Sequence, residues 1–300
     1  MIIIRYRRWF YVFSGILLLG SSAALIIFGL NPGIDFTGGA LIEAEFLGER
    51  PPIETLRERL AGAGFAEARI QEAGERGVLA RFRDVRDQEH RQILSALADS
   101  AASDTIVNEK RFDSIGPTIG AELRRKAFVA IALVLALILA FVSWAFRHAQ
   151  RPMASWKYAV TAIAALAHDV LLPAGLFAVL GRVAGVEADA LFVTALLTIL
   201  GFSVHDTIVV FDRIRENLRK TPNDDFESVV GRSLNETFAR SLATSFALFC
   251  VIAALFWFGA DVTRYFALTL LAGIIFGTYS SLFLASPLLV TWQKWSERRS

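Results

Sequence analysis

The sequence has little of what most enzymes and disulfide-rich proteins use. It contains one cysteine, Cys250, in 300 residues, so a disulfide within the chain and a four-cysteine metal site are both excluded. No Walker, Rossmann or zincin motif is present, and no nucleotide-driven work, cofactor or metal is expected. The formal net charge is only +2, which gives no argument for binding nucleic acid.

Apolar residues are abundant and grouped. They make up 54% of the chain, with a mean hydropathy of +0.47, more than a soluble domain of this length shows. They collect in blocks of the length that crosses a hydrocarbon core, which predicts six transmembrane helices. The blocks lie near 10–30, 127–146, 158–180, 190–210, 242–258 and 266–290. The first resembles a cleaved secretory signal, but it exceeds the usual apolar length of about 7–15 residues, so a membrane anchor is favoured.

Residues 31–125 have the composition of a soluble domain. Alternation predicts strands at 40–47, 67–73, 77–83 and 104–113, and amphipathic spacing predicts helices at 51–65 and 87–101. The order strand, helix, strand, strand, helix, strand is that of a ferredoxin-like α+β domain. The predicted divisions are 1–30 (cytoplasmic N-terminus and helix 1), 31–125 (α+β domain), 126–292 (helices 2–6) and 293–300 (cytoplasmic tail).

The short loops predict the orientation in the membrane. Basic residues concentrate on one side of the six spans, and such an excess marks the cytoplasmic side. Both termini are therefore expected in the cytoplasm and the α+β domain outside. The basic residues counted are Arg5, Arg7, Arg8, Arg147, Arg151, Lys157, Arg213, Arg215, Arg219, Lys220, Arg232, Lys294, Arg298 and Arg299.

Two His-Asp pairs lie inside apolar spans, where each ionisable group costs about 2.5–3.5 kcal/mol on insertion scales. His168 and Asp169 are in span three, and His205 and Asp206 are in span four. A proton or ion relay is favoured over the alternative, structural pairs that hold helices together. Asp206 shares a helix face with Ser203, whereas His205 lies about 100° round. Asp206 is therefore the expected working carboxylate.

Arg240, at the entry to span five, is a candidate cation for this relay. The alternative is an arginine whose charged end reaches the membrane surface. Two prolines change helix hydrogen bonding: Pro173 frees the carbonyl of Asp169, and Pro287 frees that of Phe283. We expect the first to kink span three beside the acid, and interpret the second as a matter of helix shape, with no polar group nearby.

Two further patterns concern packing and turns. Gly273, Gly277 and Ser281 recur every four residues in span six, a spacing that allows another helix, of this chain or of a partner, to approach closely. The segment "NPGIDFTGG" follows span one, and its two consecutive glycines permit tight backbone turns. A connection between span one and the first strand is favoured over a role in substrate binding. The residues singled out in the segment are Gly33, Asp35, Gly38 and Gly39.

The segments "NPGIDFTGG", "LAHD", "GFSVHDTIVVFDRIREN" and "SLNETFARSLATS" resemble SecF, the smaller membrane subunit of the SecDF accessory complex in protein export. The resemblance extends over nearly the whole chain. It implies a six-helix half of the RND superfamily in the bacterial inner membrane, in contact with membrane lipid. It also implies pairing with SecD and use of the proton gradient to draw preproteins through the SecYEG channel.

The resemblance also implies roles for particular residues. Asp206 and Arg240 match the family positions that take part in proton movement, and an acid on SecD is expected to complete the site. The residue before the acid is most often Asn in SecF, whereas this chain has His205. Two other functions stay open: half of a small-molecule exporter of the same superfamily, and a scaffold subunit without transport. The sequence does not decide between proton and sodium as the coupling ion.

Overall fold

The computed structural model describes residues 2–83, 85–99, 107–147 and 153–298. In chain order, its elements are α1 (Ile2–Arg5), α2 (Arg7–Ile27), α3 (Ile34–Thr37), β1 (Gly39–Phe46), α4 (Ile53–Gly62), β2 (Arg69–Ala73), β3 (Gly77–Phe82), α5 (Asp87–Asp99), β4 (Val107–Ile115), α6 (Pro117–Ala145), α7 (Ser155–Ala184), α8 (Ala190–Lys220), α9 (Phe226–Phe258), α10 (Asp261–Ser280), a π-helical turn (Ser281–Ala285) and α11 (Ser286–Glu297).

Six helices among the described residues are long and apolar enough to cross a membrane. They confirm the six predicted spans: α2, α6, α7, α8, α9, and the continuous helix formed by α10, the π turn and α11. Several helices run well beyond the apolar blocks, because the polar extensions still bury one apolar face. Val230 and Leu234 of α9, for example, join Ile214 of α8 in one core. Arg151 and Arg299, counted among the basic residues, lie outside the described residues.

The spans divide into inner and outer helices. In the apolar window of α10–α11, 67% of residues are buried, and α7 and α8 follow with 56% and 44%. The corresponding value is 11% for α2, 6% for α6 and 17% for α9. The inner helices therefore bury a large part of their surface within this chain. The outer helices present apolar surface, which suits contact with lipid or with another membrane protein.

The chain separates into two compact units, Met1–Asn31 with Val129–Ser300, and Pro32–Phe128. The second division falls inside α6, which begins at Pro117, before the predicted end of the α+β domain at residue 125. The last helix continues to Glu297, past the end predicted at residue 292. Both differences arise because a helix can cross the boundary between an apolar block and its polar neighbour.

The unit Pro32–Phe128 contains a four-stranded sheet in the order β2-β3-β1-β4, and every neighbouring pair is antiparallel. Leu56 and Leu60 of α4 and Ile93 and Leu97 of α5 share a buried core with the sheet. This order confirms the predicted ferredoxin-like domain. The short helix α3 was not predicted, and residues 100–101 and 104–106 of two predicted elements lie outside the described residues.

Candidate functional site

Small residues of α10 and the following π turn pack closely against α8 and form a seam. The residues on each helix recur every four positions, so the two rows lie side by side. The facing pairs are Gly273–Ile199, Gly277–Ser203 and Ser281–Thr207. A Cβ atom on Gly277 would lie 3.2 Å from Ser203 Cβ, so only glycine leaves ordinary van der Waals room there. The seam predicted from span six thus lies between two helices of the same chain.

Asp169 lies in the interior of the bundle, with 0% of its surface exposed. Its Oδ1 accepts a hydrogen bond from His168 Nδ1 at 2.9 Å. Its Oδ2 accepts hydrogen bonds from Ser203 Oγ of α8 and from Ser280 Oγ of α10, the latter at 2.6 Å. Both oxygens therefore have donors, and these come from three helices. Such saturation is what makes a buried carboxylate tolerable.

The second nitrogen of His168, Nε2, is buried without a hydrogen-bond partner among the described residues. The ring stacks on Tyr279 of α10, with centroids 6.0 Å apart and an interplanar angle of 27°. The Tyr279 hydroxyl donates to the carbonyl of Phe10 at 3.0 Å, in α2. His168 therefore donates a hydrogen bond to Asp169. The face of its ring packs on Tyr279, which in turn contacts span one.

The π-helical turn Ser281–Ala285 precedes Pro287 in the last span. Proline lacks an N–H group, so the regular α-helical pattern is interrupted here. The adjacent hydroxyls separate: Ser280 faces Asp169 and Ser281 faces Thr207. Ser286 Oγ also donates to the Ser281 carbonyl at 3.4 Å. The expectation of no polar group near Pro287 was therefore wrong. By contrast, α7 stays one continuous helix through Pro173.

Asp206 has a different environment. Only 6% of the surface of Asp206 is exposed, and its Oδ2 atom is buried without a hydrogen-bond partner among the described residues. The Ser241 hydroxyl of α9 is a neighbouring donor that could reach this carboxyl, but the pair does not have hydrogen-bond geometry, and the hydroxyl is also buried without a partner. His205 is exposed, so the two side chains diverge as helical spacing predicts. A buried carboxylate oxygen and a buried hydroxyl on adjacent helices thus each retain hydrogen-bonding capacity that the described residues do not use.

Arg240 is exposed at the edge of a cleft of about 280 Å³ between α8 and α9. The cleft begins about one helical turn from Asp206 along α8 and is lined by Val209, Asp212, Arg213, Glu216, Glu236, Thr237 and Arg240. Arg213 pairs with Glu216 and Glu236, both at 2.6 Å. Among the described residues, no carboxylate lies within ion-pair distance of Arg240. Its positive charge is available to a group entering the cleft.

The predicted relay residues therefore do not form one connected hydrogen-bonded site in the described part of the chain. His168 and Asp169 are in direct contact, whereas no hydrogen bond or ion pair in the described part of the chain joins Asp169, Asp206 and Arg240 to one another. Sequence reasoning did not single out Ser280 or Ser241. A signal existed for Ser241: buried hydroxyl residues recur every four positions along α9, at Ser233, Thr237, Ser241 and Ser245. Ser280 depends on the π turn: Pro287 indicated a change in helix hydrogen bonding there, but not the direction of the Ser280 side chain.

The glycines after span one have a clear backbone role. Gly38 and Gly39 adopt φ of +74° and +123°, a region that other residues rarely occupy. A Cβ on Gly38 would lie 2.7 Å from Pro117 Cα, so β1 can begin beside α6 only with glycine at this point. Gly33 is the N-cap of α3, which contains Asp35. These positions agree with the interpretation of the segment as a connection.

Comparison with known families gives two matches. Residues 95–295 match the family described as "Protein export membrane protein SecD/SecF, C-terminal", and residues 23–46 match the "SecD/SecF GG Motif". Together these segments include the seam, both intramembrane acids and the paired glycines.

Individual proteins agree. The chain is 43% identical to protein translocase subunit SecF of Thermobaculum terrenum, over 97% of this chain and 93% of that protein. It is 38% identical to SecF of Vibrio alginolyticus, over 95% of this chain and 88% of the other.

Solved structures are also similar. A crystal structure of SecDF from Thermus thermophilus superposes with a TM-score of 0.82 at 34% identity, covering 97% of this chain and 38% of that chain. SecDF in a super-membrane-facing form gives a TM-score of 0.70 at 33% identity, covering 99% and 39%. The chain thus corresponds to well under half of the SecDF polypeptide. By sequence, motif and fold, it belongs to the SecD/SecF family of protein export membrane proteins, as a multi-pass translocase subunit of the SecF type and a transport protein rather than an enzyme.

Proposed function

We propose that this subunit couples a transmembrane proton gradient to protein translocation through SecYEG, and that Asp206 is the carboxyl that loads and releases the ion. The observation that carries the proposal is the unpartnered, buried Oδ2 of Asp206 beside the unpartnered hydroxyl of Ser241. A group that takes up an ion needs a coordination position that the protein itself leaves unfilled.

The cleft between α8 and α9 gives the acid a polar neighbourhood. Arg240 is exposed there without a carboxylate partner among the described residues, whereas Glu216 and Glu236 of the cleft are both paired with Arg213. A free cation near an acid favours its charged form and helps it to release a proton. Arg240 is therefore proposed as the charge that responds when Asp206 is loaded or emptied.

A partner subunit is needed to cover this region. His205 of α8 and Arg240 of α9 are polar and exposed, and α9 also exposes large apolar residues such as Phe246 and Val251. Polar side chains in a span rarely face lipid, because the cost of leaving water is high. SecD, the other part of SecDF, is the proposed cover, and an acid on it would complete the ion site.

We further propose that the protein lies in the inner membrane with both termini in the cytoplasm. The support is the excess of basic residues in the loops on one side of the spans. In this orientation the unit Pro32–Phe128 lies outside the cytoplasm, on the side where a preprotein emerges. The apolar faces of α2 and α6 would contact lipid. A cysteine placed at Glu58 should then react with an impermeant thiol reagent added outside, and protection there would reverse the orientation.

The test replaces Asp206 by Asn in the complex with SecD, reconstituted in vesicles with SecYEG. Asn keeps the size of the side chain but cannot take up a proton. We expect gradient-driven preprotein export and proton uptake to fall to the level without the complex. Asp261→Asn, an exposed acid in the first turn of α10, is the matched control and should change neither.

Each alternative function predicts a different result in this assay. Undiminished export in assembled Asp206→Asn complexes would overturn the proposal and favour a scaffold subunit. Uptake that follows sodium rather than protons would keep Asp206 as the loaded acid and change the ion. A gradient-dependent efflux of small molecules without an effect on export would instead favour an exporter.

A further inference from the structure

Asp169 is a buried acid that the proposed ion-loading step does not use. Its carboxylate joins three spans: its own helix α7, α8 through Ser203, and α10 through Ser280. All three side chains have 0% of their residue surface exposed. A carboxylate in such surroundings has little freedom, because any movement leaves buried hydroxyls or carboxylate oxygens without partners.

The connection to Asp206 runs along α8. Ser203 and Asp206 are three residues apart, which places their side chains about 60° apart around the helix. A hydrogen bond that fixes the direction of Ser203 therefore also limits the direction of Asp206. The seam with α10 also restricts Ser203, since Gly277 lets the Ser203 side chain lie close to α10.

The π turn explains how Ser280 of α10 can donate a hydrogen bond to Asp169. Ser280 reaches Asp169 while Ser281 reaches Thr207, so one short segment contacts both α7 and α8. Two adjacent hydroxyls thus have different targets: one donates to a carboxylate and the other pairs with a neutral hydroxyl. This difference provides a matched pair of side chains for a test.

We propose that Asp169 is a positioning residue, a fixed carboxylate that pins α8 to α7 and α10 through Ser203 and Ser280 and thereby directs Asp206 toward α9. Asp169 itself does not exchange the ion, in contrast to the relay role predicted from its sequence. The inference rests on the proposed function of Asp206 for its purpose, but the pin can be tested separately.

The experiment uses the complex with SecD in vesicles and measures carbodiimide labelling of each acid by mass spectrometry. Carbodiimides modify protonated carboxyl groups that the reagent can reach. In the native complex we expect Asp206 to be labelled and Asp169 to be inert. Ser280→Ala should lower Asp206 labelling about tenfold, the equilibrium effect of losing one hydrogen bond to a charged acceptor, and should make Asp169 reactive.

Three further variants make the outcome specific. Ser281→Ala removes the equally buried hydroxyl of the next residue and should change Asp206 labelling by at most about threefold, because both partners that it loses, Thr207 Oγ1 and the Ser203 carbonyl, are neutral. Ser280→Thr keeps the hydroxyl and should restore most of the labelling. Ser203→Ala should reproduce Ser280→Ala from the α8 side, which guards against a local folding defect in α10.

Two results would contradict the positioning role of Asp169. One is labelling of Asp169 in the native complex as fast as that of Asp206; the other is equal effects of Ser280→Ala and Ser281→Ala on Asp206 labelling. The proposed function of Asp206 fails differently, with Asp206 unlabelled in every complex. In that case the reactivity of Asp169, absent in the native complex and present in Ser280→Ala, still decides whether the pin exists.

Discussion

Two carboxylates in the same helical bundle, Asp169 and Asp206, have opposite surroundings. Asp169 is fully enclosed and receives hydrogen bonds from His168, Ser203 and Ser280. Asp206 lies on the next helix, α8, beside Ser241 of α9, and its Oδ2 is buried without a hydrogen-bond partner among the described residues. A saturated acid holds its neighbours in place, whereas an unsaturated acid has an unfilled position for an ion.

This contrast is the basis for the different roles proposed for two acids of one motif type. Both acids follow a histidine in an apolar span, so the sequence places them in one class. Their difference arises from the helices packed against them: α10 brings a hydroxyl to Asp169, whereas the α9 hydroxyl beside Asp206 makes no hydrogen bond. The number of donors, rather than burial alone, distinguishes the two.

The largest expected effect is on stability. Asp169→Ala removes the acceptor of three buried donors and should lower the free energy of unfolding by about 3–5 kcal/mol. Asp206→Ala removes a carboxylate that lacks such a set of partners and should cost less than about 1 kcal/mol. Thermal unfolding of the purified chain in detergent measures both, and similar losses for the two variants would remove the distinction.

A smaller effect is expected at the seam that brings Ser203 to Asp169. A Cβ atom on Gly273 would overlap the side chain of Ile199, and overpacking of this kind costs about 1–3 kcal/mol. The double variant Gly273→Ala with Ile199→Ala should recover part of the stability by returning the space. If Gly273→Ala unfolds like the native chain, α8 and α10 are less closely packed than described.

Arg240→Gln should affect activity rather than stability. The residue is exposed and has no ion pair among the described residues, so the free energy of unfolding should change by less than about 0.5 kcal/mol. Gradient-driven export should fall about tenfold, equivalent to about 1.4 kcal/mol, with partial rescue by Arg240→Lys. Arg219→Gln, an exposed arginine at the end of α8, serves as the control. Equal effects of the two substitutions would argue against a specific role for Arg240.

The smallest effect is expected for His205→Asn. His205 is exposed and directed away from its neighbour Asp206, so export should stay within about twofold and stability within about 0.5 kcal/mol. A loss of export by an order of magnitude, with normal assembly, would place His205 in the ion path and blur the contrast between the two acids.

Much of the fold follows from pattern alone. Apolar length predicts six spans, alternation and turn residues predict the ferredoxin-like order, and helical spacing separates His205 from Asp206. The four-residue recurrence of Gly273, Gly277 and Ser281 predicts a close seam, although not its partner helix. Each of these features depends on residues near one another in sequence.

The environment of the two acids could not be predicted in this way. The contact of Ser280 with Asp169 depends on the π turn, and that turn reflects how Pro287 and the seam are accommodated together. The unpartnered state of Asp206 depends on the side-chain geometry of Ser241, on another helix. The extension of α8 and α9 beyond their apolar blocks depends on mutual burial of faces that are too polar to be recognised as spans.

The most direct test of the central claim is infrared difference spectroscopy of the reconstituted complex, in which a pH change reveals the carbonyl band of any carboxyl that gains or loses a proton. The account predicts a band that disappears in Asp206→Asn and persists in Asp169→Asn complexes that assemble. A band that is lost in Asp169→Asn and kept in Asp206→Asn would contradict it.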